Sequence, residues 1–340
     1  MSVKNRAWIL KSRPQGMATV GNFELQESPV TAPNEGEFLI QTIWLSVDPY
    51  MRGRMNDRRT YIDPVALDSV MCGSGVGVVL DSRNSEYPTG CYVCGEFGWQ
   101  EYLVSNGKGM RRVDPATAPL STALGLLGMP GRTAYFGLLD IGQPQTGQTV
   151  VVSGAAGAVG ATVGQIAKIY GCRVVGIAGS DEKVNYLTQE LGFDAAWNYK
   201  TVTNYVEKLK ETCPTGIDIY FDNVGGPISD AVFHRINRKA RICICGQIDQ
   251  YNSREAVKGE RFLWKLIETR SRIEGFLVFD YASKYPDADR QLTGWFQEGK
   301  LKYRENISRG LESTPQAFIG LFTGENIGKQ LVQVSDDPTR

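Results

Sequence analysis

The chain has 340 residues, with 37 lysines and arginines set against 37 aspartates and glutamates. That length exceeds one ordinary domain and favours two, each with its own core. The balanced charge argues against nucleic acid, an anionic membrane or an acidic partner and favours a small-molecule ligand.

Up to about residue 120 the apolar runs are short and broken by Gly, Pro, Asn and Asp, as in "AWILKS", "EFLIQTIWLSV", "GVGVVL" and "CYVCGEF", which predicts a β-rich domain with tight turns. From 123 the rhythm changes. Strand "TVVVSG", a helix over 157–170, strand "CRVVGIA", a helix over 181–191, strand "AAWNY", a helix over 202–212, strand "IDIYFDN", a helix over 226–237 and strand "ARICICG" follow in turn. Such alternation predicts βαβ units winding a parallel sheet. "FLWKLIETR" and "DADRQLTGWFQEG" read as helices with "SRIEGFLVF" as a strand between them, and "GENIGKQLVQVS" returns to strand character. The plan expected is a β-rich domain over 1–122, an inserted doubly wound α/β domain over 123–304 and a return to the first domain over 305–340, with the active cleft between the two.

Seven cysteines at 72, 91, 94, 172, 213, 243 and 245 are scattered, unlike a secreted disulfide framework. "MSVKNRAWILKSRPQG" has charges on both sides of a very short apolar run and so no signal-peptide core. No apolar run approaches the roughly 20 residues of a membrane span. The expectation is a soluble, cytoplasmic protein.

"VVSGAAGAVGATVGQIAKIYGCRVVGIAGSDEK", residues 151–183, has the order strand, glycine turn, helix, strand that cradles a dinucleotide pyrophosphate. Gly157 and Gly160 stand where the turn must be tight and the helix must start close to a phosphate, offering unpaired N–H groups. Ala155 replaces the first fingerprint glycine, and Gly154 can relieve the turn in its place. The alternative is a glycine turn made only for helix–strand packing. The second strand ends in Ala178-Gly179-Ser180, where an Asp or Glu would bind the ribose hydroxyl of NAD. The open space and nearby Lys183 suit the 2′-phosphate of NADP instead. Lys183 as a solvated first-turn residue is the competing reading.

Catalytic zinc needs three or four converging ligands. The sequence has one histidine, His234, and one C-x-x-C, Cys91 to Cys94, in a strand-like run where small apolar packing explains it. The lone histidine leaves no partner for His-paired nucleophilic catalysis, and no G-x-S-x-G elbow exists. Hydride addition to an activated C=C needs only a donor, positioning and stabilisation of the enolate, which a tyrosine hydroxyl can supply. Tyr50 in "SVDPYMRGRM" and Tyr251 in "CGQIDQYN" are the candidates, although with 15 tyrosines in the chain packing is the alternative role for each.

At "LSVDPYMRGRM", "GWQEY", "GMPGRTAY", "GAAGAVG", "VVGIAGSDEK", "LGFDAAWNYK", "YFDNVGG", "EGFLV" and "GENIGK" the sequence resembles the zinc-free medium-chain dehydrogenases/reductases. The similarity is to the group of prostaglandin reductases, plant 2-alkenal reductases and bacterial NADPH-dependent curcumin reductases. The pieces run in family order over essentially the whole chain. The resemblance implies a GroES-like catalytic domain, an inserted Rossmann domain and a homodimer. It also implies NADPH contacts from Gly157, Ala158, Val159 and Gly160, and from Lys183 and Tyr199 at the 2′-phosphate. Further contacts are implied from Asn223, from the loop Cys245, Gly246, Gln247, Ile248 to Tyr251, from Phe276, Leu277 and Val278, and from Asn326. Met129 and Thr133 would lie near the nicotinamide. Where some relatives carry a tyrosine before the "R-I-x-G-F" strand, this chain has Glu268. The expected activity is NADPH-dependent reduction of the C=C bond of α,β-unsaturated ketones and aldehydes. Quinone reduction, NADP-dependent alcohol oxidation and non-catalytic nucleotide binding are the rivals.

Overall fold

The computed structural model describes residues 4–340. The chain divides into two compact units, one reaching to Leu124 and including Glu305–Asn326 and Gln330–Arg340, the other Gly125–Arg304 with Ile327–Lys329.

In the first unit β1 (Lys4–Leu10) pairs antiparallel with β2 (Phe23–Pro29). The nine-residue β3 (Phe38–Ser46), buried along most of its length, pairs antiparallel with β4 (Ser74–Ser82). β5 (Tyr92–Glu96) and β7 (Arg111–Val113) extend the sheet beyond β4, and β6 (Tyr102–Ser105) lies along β3. A single turn, α1 (Met51–Arg54), buries Met51 in the core of this unit with Phe38, Leu45 and Trp99.

The second unit begins with α2 (Met129–Phe136), followed by β8 (Thr149–Ser153), α3 (Ala158–Ile169), β9 (Arg173–Ala178), α4 (Asp181–Asn185) and β10 (Ala195–Asn198). Then come α5 (Tyr205–Thr212), β11 (Ile217–Asp222), α6 (Gly226–Phe233), β12 (Ile236–Ile244), α7 (Leu263–Thr269), β13 (Arg272–Gly275) and α8 (Tyr285–Gln297). The strands form a parallel sheet in the order β10-β9-β8-β11-β12-β13. β8 is buried at every position because helices cover both faces of a doubly wound sheet. The strand order reverses between β8 and β11, so the carboxyl ends at Ser153 and Asp222 mark the switch point where such sheets bind ligands. The chain then returns to the first sheet through β14 (Glu305–Arg309), α9 (Thr314–Thr323) and β15 (Lys329–Gln333), with Leu331 opposite Ser46.

Several elements differ in extent from the expectation. The helix expected over 226–237 stops at Phe233 because Ile236 already pairs with Ile217, whose N–H donates to the Arg235 carbonyl at 3.0 Å. The strand expected in "SRIEGFLVF" is confined to Arg272–Gly275. Beyond it Phe276 packs its ring against Phe221 at 6.3 Å, and a 3-10 turn runs over Val278–Lys284. The helix over 181–191 becomes α4 followed by a wider π-type turn, Tyr186–Glu190. The helix over 202–212 starts at Tyr205, since Asn204 caps it by accepting from the Glu207 N–H at 3.1 Å.

Candidate functional site

The glycine turn follows β8. Gly154 takes φ +58°, the left-handed conformation a glycine adopts without strain. That leaves the next position free to carry a methyl group. Ala155 is fully buried, donates its N–H to the Ile177 carbonyl at 3.0 Å, and packs where a Cβ added at Gly176 would come within 3.1 Å of its own. Gly157 caps α3, and a Cβ at Gly160 would lie 2.4 Å from the Gly154 carbonyl oxygen. Gly160 therefore fixes how closely the helix approaches the turn. Bare Gly157 leaves the first N–H groups of α3, at Ala158, Val159 and Gly160, facing outward without intrahelical acceptors. This is a cradle of the kind that takes a pyrophosphate. Gly328 closes its far side by donating to the Ala156 carbonyl at 2.7 Å, which ties the segment just after Asn326 to the turn.

The end of β9 carries the second part. A Cβ at Gly179 would lie 3.0 Å from the Tyr199 ring and hydroxyl, so the glycine lets that ring lie over the strand end. Ser180 caps α4 by accepting from the Lys183 N–H at 3.3 Å. Lys183 is only 9% exposed. Burial pushes its pKa down, and the positive charge of Lys200 pushes it further, with Glu182 partly opposing both. Two cations close together at a strand end are suited chemically to an anionic ligand. Lys200 was not among the residues expected at this site. Its signal in the sequence is its place directly after "AAWNY", at the end of the next strand.

The switch point is organised by Asp222, which the sequence reading also missed. Its carboxylate is buried and accepts from the Ser153 hydroxyl at 3.0 Å, the Tyr220 hydroxyl at 2.9 Å, the Val224 and Gly225 N–H groups at 3.0 and 2.9 Å, the Ser229 hydroxyl at 2.7 Å and Gln247 Nε2 at 2.9 Å. One carboxylate thus joins the end of β8, the turn after β11 and the loop after β12. Asn223 strengthens the first link, donating from Nδ2 to the Ser153 carbonyl at 2.8 Å. In the loop, partly buried Cys245 has its thiol pKa pushed up to about 12 by desolvation. Gly246 passes close to the Tyr251 hydroxyl, which accepts from the Gln247 N–H at 3.3 Å. Ile248 and Tyr251 bracket a short 3-10 turn.

Met129 and Thr133 lie on α2, where the Thr133 hydroxyl donates to the Met129 carbonyl at 2.8 Å. Phe276 lies against Gly137, Leu277 is extended, and the Val278 carbonyl accepts from the Tyr285 hydroxyl at 2.9 Å. The Phe276 side chain and the Val278 carbonyl are thus engaged in packing within their own unit.

Tyr50 belongs to the other unit. Pro49 stiffens the turn before it, and Tyr50 is the N-cap residue of α1. Burial raises its phenol pKa well above the ordinary value, and the negative charges of Glu96 and Asp48 add to the rise while Arg54 opposes it. Glu96 is itself oriented by the Ser74 hydroxyl at 2.5 Å. A phenol held in its protonated form is a hydrogen-bond and proton donor. Glu96 and Arg54 are further residues of this neighbourhood that the sequence reading did not single out.

Among the described residues no group of three or more His, Cys, Asp or Glu side chains is placed to hold a metal ion. His234 ends α6, half exposed, with Glu260 at 3.3 Å. Cys94 is buried in β5 with its thiol directed to the Ala123 carbonyl at 3.7 Å. Glu268 on α7 accepts from Lys265 at 3.0 Å.

Known proteins resemble this chain over nearly its whole length. The family described as the N-terminal domain of oxidoreductase matches residues 6–113, and that described as zinc-binding dehydrogenase matches residues 158–293. The chain is 46% identical over 339 residues to the NADPH-dependent curcumin reductase of Escherichia coli, covering 98% of each. It is 45% identical over 335 residues to prostaglandin reductase 1 of Rattus norvegicus, covering 97% of this chain and 99% of that one. The crystal structure of CurA from Vibrio vulnificus in complex with NADPH superposes with a TM-score of 0.93 at 44% identity, covering 98% of this chain and all of the other. The chain belongs to the medium-chain dehydrogenases/reductases, in the group of curcumin, prostaglandin and 2-alkenal reductases.

Proposed function

We propose that the protein is an NADPH-dependent reductase of the C=C bond of α,β-unsaturated ketones and aldehydes, working without zinc. The observation that carries this reading is the buried Lys183 with Lys200 at the end of β9, where an NAD enzyme would place an acid, in a chain matched end to end by a curcumin reductase. Bound NADPH would supply the hydride for the β-carbon of the substrate. The start of α3, from Gly157 to Gly160, holds the pyrophosphate, and Lys183, Tyr199 and Lys200 hold the 2′-phosphate. Asn223, the Cys245 to Tyr251 loop, Phe276 to Val278, Met129, Thr133 and Asn326 position the remainder, as in the family. Tyr50 donates a hydrogen bond to the developing enolate and holds the proton for it. Its phenol stays protonated and so can donate that hydrogen bond, and Tyr251 is the second candidate. Quinone reduction or alcohol oxidation by the same fold, and nucleotide binding without turnover, are the competing readings.

NADPH consumption with an enone and a quinone side by side, followed by product analysis, tests the assignment. A saturated ketone supports it. Turnover of the quinone alone, or tight NADPH binding with no turnover across enones, quinones and alcohols, overturns it.

We further propose a cytoplasmic homodimer. No helix among the described residues is long and apolar enough to cross a membrane, and all seven cysteines are free, as in a reducing compartment. The dimer is supported by β13, an exposed edge strand, and by Leu263, Trp264 and Ile267 on α7, which expose 63%, 75% and 66% of their surface. A second copy of this chain is the occupant proposed for that face.

A further inference from the structure

We infer that Asn198 is a specificity-positioning residue, one that holds the carboxylate of Asp181 away from the cations of the 2′-phosphate site. The inference rests on the NADPH reading above. β9 and β10 run parallel with Ala178 opposite Asn198, so the segments that follow them emerge side by side. One segment is Gly179-Ser180 and the start of α4 with Asp181, Glu182 and Lys183. The other is Tyr199-Lys200. Two acids and two lysines are therefore crowded at one strand edge, which is poorly suited to a dianion unless the acids are engaged elsewhere.

Both are engaged. Asn198 is 9% exposed and uses both ends of its amide. Nδ2 donates to Asp181 Oδ1 at 2.9 Å, and Oδ1 accepts from the Lys200 N–H at 3.0 Å. These partners fix the amide orientation, since a carboxylate can only accept and an N–H can only donate. The same side chain thus draws the Asp181 charge to one side and sets the backbone that carries Lys200 on the other. Glu182 accepts from Arg304 Nη2 at 3.2 Å, while its charge still acts on Lys183. Lys200 and Glu182 are among the charges that act on the Lys183 ammonium. Asp181 is an acid one residue beyond the usual position of the NAD-selecting acid, kept out of the site by a neighbour rather than by its absence from the sequence.

Fluorescence titration of the full-length protein with NADPH and with NADH tests this. Asn198→Ala is expected to weaken NADPH about tenfold while leaving NADH affinity and kcat with saturating NADPH nearly unchanged, because the freed carboxylate repels only the 2′-phosphate. Adding Asp181→Asn to Asn198→Ala is expected to restore NADPH affinity to within about twofold of the unaltered protein, whereas a merely structural defect is not cured by removing a second charge. Asp181→Asn alone, which does not disturb Asn198, is expected to change NADPH affinity less than about twofold. Undiminished NADPH affinity in Asn198→Ala, no rescue in the double variant, or a tenfold gain from Asp181→Asn alone overturns the role of Asn198. Equal affinity of the unaltered protein for NADPH and NADH overturns the cofactor reading itself, and the inference with it.

Discussion

Lys183 is buried and the charge of Lys200 acts on it, which is the ground for proposing it as a ligand of the 2′-phosphate. Lys183→Ala is expected to weaken NADPH roughly ten- to a hundredfold by removing one charge-assisted contact, while NADH, lacking the phosphate, is unaffected. Equal losses for both cofactors in a binding titration would identify a packing role. The pH dependence has a definite sign. Burial and Lys200 depress the pKa of Lys183 in the free protein, and a bound phosphate would favour the charged form. NADPH affinity should therefore fall as pH rises through that depressed pKa, below the ordinary lysine value, with NADH affinity level over the same range. A parallel fall for both cofactors would remove Lys183 as the cause. Tyr50 is perturbed the other way, its proton retained by burial. Tyr50→Phe should lower kcat by roughly ten- to a thousandfold without changing NADPH affinity, since only stabilisation of the developing enolate is lost. A deuterium isotope effect with labelled NADPH would establish that chemistry limits the rate. Full kcat in Tyr50→Phe, Tyr251→Phe and the double variant under that condition would exclude both hydroxyls.

The elements marked most clearly, β8, α3, β9 and β11, are apolar runs buried at nearly every position of the strands and through the middle of the helix, so the pattern is imposed locally. Their ends were less legible. α6 stops early because Ile236 answers to Ile217 across the sheet, a partner no local window contains. "GFLVF" looks like a strand, yet Phe276 serves the Phe221 core instead. The glycine cradle could be read because Gly154, Gly157 and Gly160 act on their own neighbours. Asp222 and Asn198 could not, since each bonds residues on another strand or loop. Asp222 shows how much one such residue fixes. With six donors directed at one buried carboxylate and no cation among them, Asp222→Ala should strand several buried donors and destabilise the protein by about 3 kcal/mol or more. Because Asp222 ties Ser153 to Gln247, affinity for NADPH and NADH should fall together, unlike the selective losses at Lys183. A variant with unchanged melting temperature and cofactor affinity would show that the turn after β11 holds its shape without the carboxylate.

At the scale of the whole molecule the parallel sheet ends in two unlike edges. β10 has its Trp197 and Asn198 buried, whereas every residue of β13 is exposed, and α7 presents Leu263, Trp264 and Ile267 to solvent. An unprotected strand edge together with an exposed apolar helix face is a template for association, and a second copy related by a twofold axis would satisfy both at once, edge against edge and helix against helix. An interface on this face would draw most of its energy from a few large side chains buried in it. Light scattering of the unaltered protein should therefore give twice the chain mass of 37.5 kDa. Trp264→Glu combined with Ile267→Glu should shift it to the single-chain mass, because burying two new carboxylates against their symmetry mates costs several kcal/mol. NADPH affinity measured on that monomer would show whether the cofactor site is complete within one chain. A single-chain mass for the unaltered protein at micromolar concentration, or a double variant that stays at twice that mass, would rule out β13 and α7 as the dimer face.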